Sequence, residues 1–348
     1  MKNFNLNHLL RENIKTIQPY TSARDEYKDA KADMIFLDAN ESPFNTGANR
    51  YPDPKQSELK KEISKIKGIT PEQILIGNGS DEVLDLIYRA FCEPQKDTVI
   101  ILPPTYGMYK VLADLNAIQV KSIVLDDEFQ PQKDKILKSQ DENTKILFLC
   151  SPNNPSANSF NAPKVEELIK HFKGIVVIDE AYIDFSTQQS WLSRLDEFPN
   201  LVIIQTFSKA YGLAGLRLGL CFASEEIIST LNSIKPPYNI NQLSQETAIK
   251  RLKSIEQVQT EINTLIENRD QFLLALRSIA LIKKVYPTDA NFILVKVDDA
   301  NLRYQQLIKK GIVVRNRSNQ PLCDNCLRFT VGTATENKAL ISALKKLK

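Results

Sequence analysis

The sequence has few of the residues that build metal centres. Its 348 residues include five cysteines and two histidines, His8 and His171. Cys323 and Cys326 form a CxxC pair, but a tetrahedral zinc site needs four ligands and both histidines are far away along the chain. We therefore expect no metal site, and a structural or incidental role for the cysteine pair.

Long apolar runs and an excess of charge of one sign are also missing. No stretch approaches the roughly 20 apolar residues that cross a bilayer, and the polar N-terminus does not resemble a signal peptide. Lys and Arg number 45 against 42 Asp and Glu, a formal charge of +3. This near balance is not typical of proteins that bind nucleic acid or membrane surfaces. We expect a cytoplasmic protein with neither kind of partner.

Several apolar runs end in polar residues. They are ILIGNGS (74–80), TVIILPPTY (98–106), KILFLCSPNNP (145–155), GIVVIDEAY (174–182) and LVIIQTFSK (201–209). Most of them do not alternate apolar and polar residues as a half-exposed strand does. Continuous apolar runs are typical of strands buried on both faces. The pattern predicts an α/β fold whose large domain has a mainly parallel sheet flanked by helices. Such sheets bind ligands beyond the carboxyl ends of their strands.

The character of the sequence changes after Ser233. A proline-marked connector is followed by a long charged helical stretch (243–278), and then by short strands and helices. These features predict a smaller α+β domain, since a chain of this length exceeds what one core usually serves. We expect an N-terminal arm and part of the small domain over residues 1–37, a large domain over 38–235 and a small C-terminal domain over 236–348.

The polar residues at the predicted strand ends form a chemically coherent set. The turn GNGSDE (77–82) precedes a helix, whose N-terminus favours an anion. Asp179, Lys209 and Arg217 follow later strands. Each feature alone has an ordinary structural explanation, such as a cap or a solvated side chain. Together they supply the amine, the carboxylate and the anion seat that pyridoxal phosphate requires.

Nearly the whole chain resembles the fold-type-I aminotransferases of the class II subgroup, and within them the histidinol-phosphate aminotransferases. The motifs that carry the resemblance are QPYTSAR, LDANESPFN, RYPDP, GNGSDE, PPTYGMY, SPNNPSAN, VIDEAYIDF, TFSKAYGLAGLRLG, GIVVRNR and LRFTVGT. The resemblance implies a pyridoxal 5'-phosphate enzyme of histidine biosynthesis. Such an enzyme would convert histidinol phosphate and 2-oxoglutarate into imidazole acetol phosphate and glutamate.

The resemblance also implies individual roles in holding the cofactor. Lys209 would form the Schiff base, and Asp179 would pair with the pyridinium nitrogen. Asn154 and Tyr182 would bond the ring oxygen, and Tyr106 would stack on the ring. The phosphate would be bound by Ser80, Asp81, Ser208, Arg217 and, from the neighbouring subunit, Tyr51. The last of these implies a homodimer with shared active sites.

Substrate recognition follows from the same resemblance. A planar guanidinium binds carboxylate or phosphate with two hydrogen bonds, so we expect Arg315 and Arg328 to bind the substrate anions and Arg317 to lie on the surface. Tyr20 and Asn40 match substrate-contacting positions. The sequence departs from many relatives at Ser156 and Ala157, where they have Thr-Gly. Because Asn154 is retained, the site is still expected.

Other functions share some of these features. An aromatic aminotransferase or a threonine-phosphate decarboxylase would keep the same cofactor residues. A dinucleotide-dependent oxidoreductase would also place a glycine turn after a strand, but Glu82 stands where GxGxxG has its third glycine. A non-catalytic binding protein on this fold is a further alternative.

Overall fold

The computed structural model describes residues 4–22 and 34–347. Residues 1–3 and 23–33 of the expected N-terminal arm, which include residues 23 and 24 of the QPYTSAR motif, lie outside these ranges. Within them, a seven-stranded sheet has the order β1-β7-β6-β5-β4-β2-β3, and a four-stranded sheet has the order β10-β11-β9-β8. The predicted α/β fold with a second, smaller sheet is confirmed. The domain limits stay predictions.

The large sheet is flanked by helices. Its strands are β1 (Ile74–Asn78), β2 (Thr98–Ile101), β3 (Gln119–Ser122), β4 (Thr144–Cys150), β5 (Ile175–Asp179), β6 (Leu201–Thr206) and β7 (Leu218–Phe222). The α-helices in this part of the chain are α1 (Glu12–Lys15), α2 (Ser57–Lys67), α3 (Ser80–Phe91), α4 (Met108–Leu115), α5 (Lys133–Ser139), α6 (Ala162–His171) and α7 (Glu225–Ile234). Short 3-10 helices cover Leu6–His8, Pro71–Gln73, Ile183–Phe185, Trp191–Glu197 and Ala214–Leu216.

The central strands are apolar throughout because both faces of the sheet are covered. Along β5, Val176 and Ile178 belong to the apolar core on one face, and Ile175 and Val177 belong to the core on the other. Successive side chains of a strand point to opposite faces, so an uninterrupted apolar run satisfies both cores. The free energy of burial therefore fixes these strands in the middle of the sheet.

Strand β7 is the exception to the parallel arrangement. It runs antiparallel to β1 and β6, between which it lies. Its first residue therefore lies at the edge where its neighbours end, and Leu218 pairs with Asn78. As a result Arg217, which immediately precedes β7, is at the edge that the sequence predicts to bind ligands.

The remaining elements form the second sheet and its helices. They are α8 (Gln242–Leu252), α9 (Ile255–Arg277), β8 (Ile282–Val285), β9 (Phe292–Val297), α10 (Ala300–Lys309), β10 (Arg315–Asn316), β11 (Cys326–Thr330) and α11 (Ala334–Lys345). The predicted long helical stretch is thus two helices, α8 and α9. All strand pairs in this sheet are antiparallel. Among the described residues, no helix combines the length and apolarity needed to cross a membrane.

Candidate active site

A cavity of about 150 Å³ opens at the carboxyl edge of the large sheet. It brings together all the predicted cofactor residues except Tyr51. The residues that line it are Ser80, Asp81, Tyr106, Cys150, Asn154, Asp179, Ala181, Tyr182, Thr206, Ser208, Lys209, Ala214 and Arg217. Residues from five different strand ends and loops thus meet at one place, as the parallel arrangement predicts.

An anion seat is present at the N-terminus of α3. Its N-cap is Gly79, which has no side chain to cap the first-turn amides. A Cβ atom on Gly79 would lie 2.7 Å from Arg217 Nη2, and one on Gly219 would lie 2.2 Å from the backbone nitrogen of Ser80. Gly79 also has a φ of 83°, a conformation that glycine adopts most readily. Because the contact of Gly219 is with backbone, which cannot easily move aside, glycine is required at 219. Arg217 Nη1 also donates to Ser208 Oγ at 3.5 Å, so amides, a hydroxyl and a guanidinium converge.

Asp179 is a buried carboxylate at the end of β5. The Tyr109 hydroxyl donates to its Oδ2 at 2.7 Å, and the Ala181 amide donates to its Oδ1 at 3.1 Å. Burial raises the pKa of Asp179, although these two hydrogen bonds act in the opposite direction by stabilising the charged form. Within residues 4–22 and 34–347 it forms no ion pair, so a cationic N–H in the cavity would stabilise it.

The amine of Lys209 lies over the ring of Tyr182, with Nζ 5.7 Å from the ring centroid. Burial of the amine lowers the pKa of Lys209, and the positive charges of Arg328 and Arg217 lower it further, whereas Asp179 raises it. A lowered pKa increases the neutral fraction of the amine, which is the nucleophilic form.

One arginine of the small sheet reaches the cavity. Arg328, on β11, donates from Nη1 to Asn154 Oδ1 at 2.6 Å. Its guanidinium lies 5.0 Å from the ring centroid of Phe292, and that ring packs edge-on against Tyr182 with centroids 5.0 Å apart. Arg315 is directly opposite Arg328 in the β10–β11 pair and is exposed.

Tyr106 is positioned by its neighbours at the start of α4. Its hydroxyl donates to Asp81 Oδ1 at 3.0 Å. Its ring is nearly perpendicular to that of Tyr109, with an interplanar angle of 86°. The ring of Tyr106 is thereby held beside the cavity at the mouth of the anion seat.

Besides Arg315, three predicted site residues do not reach this cavity in the same chain. Tyr20 is 72% exposed and lines a separate groove of about 1000 Å³. Asn40 and Tyr51 line another groove, where Tyr51 stacks on Tyr238 with centroids 4.5 Å apart. A single chain therefore does not bring these residues to Lys209.

Sequence reasoning missed two residues near the site. Tyr109 belongs to the same PPTYGMY motif as Tyr106, three residues after it, and this nearness to a predicted site residue was the available signal. Arg317 was expected on the surface, but it is half-buried, so that expectation is wrong. Its position two residues after Arg315 on a strand was the available signal, since such residues share a face.

Two further sequence features have structural explanations. Ala157 is fully buried and has a φ of 70°, the left-handed conformation that glycine adopts most readily. Cys323 and Cys326 are both buried and free. Among the described residues, no group of three or more His, Cys, Asp or Glu side chains could hold a metal ion.

The residues of the cavity fit pyridoxal phosphate. A buried carboxylate without a cation, Asp179, suits a protonated ring nitrogen. The uncapped N-terminus of α3 and Arg217 suit a phosphate. Lys209 supplies an amine in the same cavity, and Asn154 and Tyr182 supply further polar atoms there.

Comparisons with known proteins agree with this geometry. The family described as aminotransferase class I and II matches residues 23–344. The chain is 60% identical to histidinol-phosphate aminotransferase of Flavobacterium johnsoniae over 100% of both chains, and 52% identical to that of Bacteroides thetaiotaomicron over 98% of both.

Solved structures give the same result. The histidinol-phosphate aminotransferase of Clostridium acetobutylicum has a TM-score of 0.79 at 26% identity, over 86% of this chain and 90% of that one. The enzyme of Sinorhizobium meliloti, solved with pyridoxal 5'-phosphate, has a TM-score of 0.78 at 22% identity, over 85% and 82%, and shows the shared fold. The chain belongs to the class I and II aminotransferases.

Proposed function

We propose that this chain is a pyridoxal-phosphate-dependent aminotransferase that converts histidinol phosphate and 2-oxoglutarate into imidazole acetol phosphate and L-glutamate. The observation that carries the proposal is the convergence of Lys209, Asp179 and the anion seat of α3 on one cavity. The full-length similarity to relatives named histidinol-phosphate aminotransferase supports the choice of substrate.

The cavity residues divide into groups that would hold different parts of the cofactor. The amides of Ser80 and Asp81 and the side chains of Ser208 and Arg217 would bind the phosphate. Asp179 would keep the ring nitrogen protonated, since an unpaired buried carboxylate gains most from a cationic partner. The ring oxygen would be bonded by Asn154 and Tyr182, and Tyr106 would cover the ring. When bound, pyridoxal phosphate supplies an electron sink for the substrate carbon.

Lys209 has two tasks in this proposal. Its amine would hold the cofactor in the resting enzyme, and during the reaction the same amine would move a proton to and from the substrate carbon. Both tasks need a neutral amine, and the pKa of Lys209 is lowered in that direction by burial and by the charges of Arg328 and Arg217.

The substrates alternate in the site and both are anionic. Arg328 is tied to the cavity through Asn154, and Arg315 lies opposite it across β10 and β11. We propose that these two guanidiniums bind the carboxylate of glutamate in one half-reaction and the phosphate of histidinol phosphate in the other. Their planar donors suit both anions.

We further propose that the enzyme is a homodimer with shared active sites. Three apolar residues before Tyr51 are highly exposed: Ile35 at 86%, Leu37 at 89% and Phe44 at 78%. An apolar surface of this kind marks an interaction site, and a second copy would cover it. Tyr51 would then reach the phosphate seat of the neighbouring subunit, and Tyr20 and Asn40 would complete substrate binding.

A comparison of substrates tests the proposed reaction. The purified protein loaded with pyridoxal phosphate is assayed with glutamate and either imidazole acetol phosphate or phenylpyruvate, and separately with O-phosphothreonine. We expect the highest kcat/KM with imidazole acetol phosphate. A preference for phenylpyruvate would identify an aromatic aminotransferase. Release of carbon dioxide from O-phosphothreonine would identify a decarboxylase.

A further inference from the structure

Three arginines meet where the small sheet approaches the cavity. Arg315 is directly opposite Arg328 in the β10–β11 pair. The amide of Arg317 donates to the carbonyl of Cys326 at 2.9 Å, which continues the pairing one residue beyond β10. Side chains two residues apart on a strand share a face. Arg317 therefore lies on the same face as Arg315 and diagonal to Arg328, within reach of a long side chain.

These arginines carry positive charge without a carboxylate to balance it. In the part of the chain that the structure describes, none of the three forms an ion pair. The Nε atoms of Arg317 and Arg328 are buried and have no hydrogen-bond partner. Burial, together with Arg317 and Arg315, lowers the pKa of Arg328 to about 10. Burying positive charges close together costs free energy. A bound anion would lower this cost, so the cluster is suited to bind one.

The arginine cluster adjoins the catalytic cavity through Arg328, which donates to Asn154 Oδ1 at 2.6 Å. Burial raises the pKa of Tyr182, while the positive charges of Arg328 and Arg317 act to lower it. Tyr182 lines the cavity, and Lys209 Nζ is 5.7 Å from its ring centroid. An anionic group bound by Arg328 beside the cavity would therefore also be attracted by the charge of Arg317, which acts on both Arg328 and Tyr182.

We propose that Arg317 is a specificity-determining residue, which supplies a third guanidinium and makes the site prefer a phosphate dianion to a carboxylate. The inference rests on the proposed function, in which the two anions alternate. A carboxylate carries one charge and is satisfied by a bidentate guanidinium. A phosphate ester carries about −1.5 to −2 charges at pH 7 and has three acceptor oxygens. The third guanidinium thus contributes most when phosphate is bound.

The test separates the two half-reactions. Arg317→Gln removes the charge and keeps most of the side-chain length. Single-turnover experiments, followed by cofactor absorbance, give the apparent Kd of histidinol phosphate, of L-histidinol, which lacks the phosphate, and of glutamate. We expect the Kd of histidinol phosphate to rise about tenfold or more, as for loss of a charged hydrogen bond. The values for glutamate and L-histidinol should change by less than about threefold.

Two further variants make the result specific. Arg317→Lys retains the charge and should recover part of the affinity for histidinol phosphate. Arg277→Gln, the same substitution at an exposed position on α9, should change none of the three values. An equal weakening of all substrates by Arg317→Gln would indicate a structural role and overturn the proposal, and so would unchanged affinity for histidinol phosphate.

A second measurement keeps the two proposals distinguishable. Inorganic phosphate is titrated as a competitor of the glutamate half-reaction, and Arg317→Gln should raise its inhibition constant about tenfold, in line with loss of one charged contact. If the unaltered enzyme does not convert histidinol phosphate, the proposed reaction is wrong, yet the phosphate competition still decides the role of Arg317. An inhibition constant that does not change would overturn that role.

Discussion

The hydroxyl of Tyr109 stabilises the charged form of Asp179, so Tyr109→Phe is expected to destabilise the protein in a pH-dependent manner. The hydroxyl donates to Asp179 Oδ2 at 2.7 Å, and both residues are buried. A hydrogen bond to a charged group contributes about 1.5–3 kcal/mol, and a neutral one contributes about 0.5–1.5 kcal/mol. The difference of roughly 1 kcal/mol corresponds to about one unit in the pKa of Asp179.

The direction of the pH dependence follows from the pKa of Asp179. Burial raises this pKa in the folded protein. A carboxyl with a raised folded pKa contributes stability that is present below its unfolded pKa and is lost as the pH rises through the folded value. Without the Tyr109 hydroxyl the folded pKa rises further. The loss of unfolding free energy should therefore be about 1 kcal/mol greater near pH 9 than near pH 4.

Chemical denaturation of the cofactor-free protein at the two pH values measures this difference. The matched control is Tyr88→Phe, because the Tyr88 hydroxyl is also buried and donates to a neutral group, the carbonyl of Tyr109, at 2.7 Å. The loss of unfolding free energy caused by Tyr88→Phe should be the same at both pH values. The reasoning is refuted if Tyr109→Phe lowers the unfolding free energy equally at both pH values, or if Tyr88→Phe shows the same pH dependence as Tyr109→Phe.

Four other predictions concern the cofactor and the dimer. Lys209→Ala should abolish turnover and the retention of cofactor after borohydride reduction, while weak non-covalent binding persists; retained turnover would contradict the assignment. Gly219→Ala should weaken cofactor binding at least about tenfold in a fluorescence titration, because its Cβ would lie 2.2 Å from the Ser80 nitrogen and overpacking typically costs about 1–3 kcal/mol. Arg328→Gln should raise the pKa of Lys209, since Arg328 lowers it, so labelling of this amine in the cofactor-free protein should shift to higher pH; an unchanged profile would exclude the coupling. Mixing inactive Tyr51→Ala and Lys209→Ala proteins should restore part of the activity if sites are shared, and no recovery would argue against the proposed dimer.

Most of the large sheet was predictable because its strands are buried on both faces. An uninterrupted apolar run such as β4 or β5 has few alternatives to a central strand. Strands β3 and β8 were missed because all their residues are exposed or partly exposed and neither contains an uninterrupted apolar run. Strand β7 was not predicted either, and its antiparallel direction could not have been, since a short apolar strand carries no information on its direction.

The core of the candidate site was also predictable, because its residues stand at the ends of predicted strands. Asp179 and Lys209 follow strands whose ends share one edge of the sheet, so their proximity follows from the fold. Arg217 was identified by resemblance, but the structural cause of its position is the reversal of β7. For Tyr20, Asn40 and Tyr51, a single chain does not provide the contacts that the resemblance implies.

The sequence by itself determined which strands are central and which chemical groups stand at their ends, because burial on both faces and strand-end polarity are local patterns. Only the tertiary structure decided which groups neighbour each other across those ends. Tyr109 bonds Asp179 from a residue 70 positions away, and Arg328 bonds Asn154 from 174 positions away. Alternation along a strand tells which residues share a face, as Arg315 and Arg317 do. What they face depends on strand register and packing, which arise from contacts between distant segments.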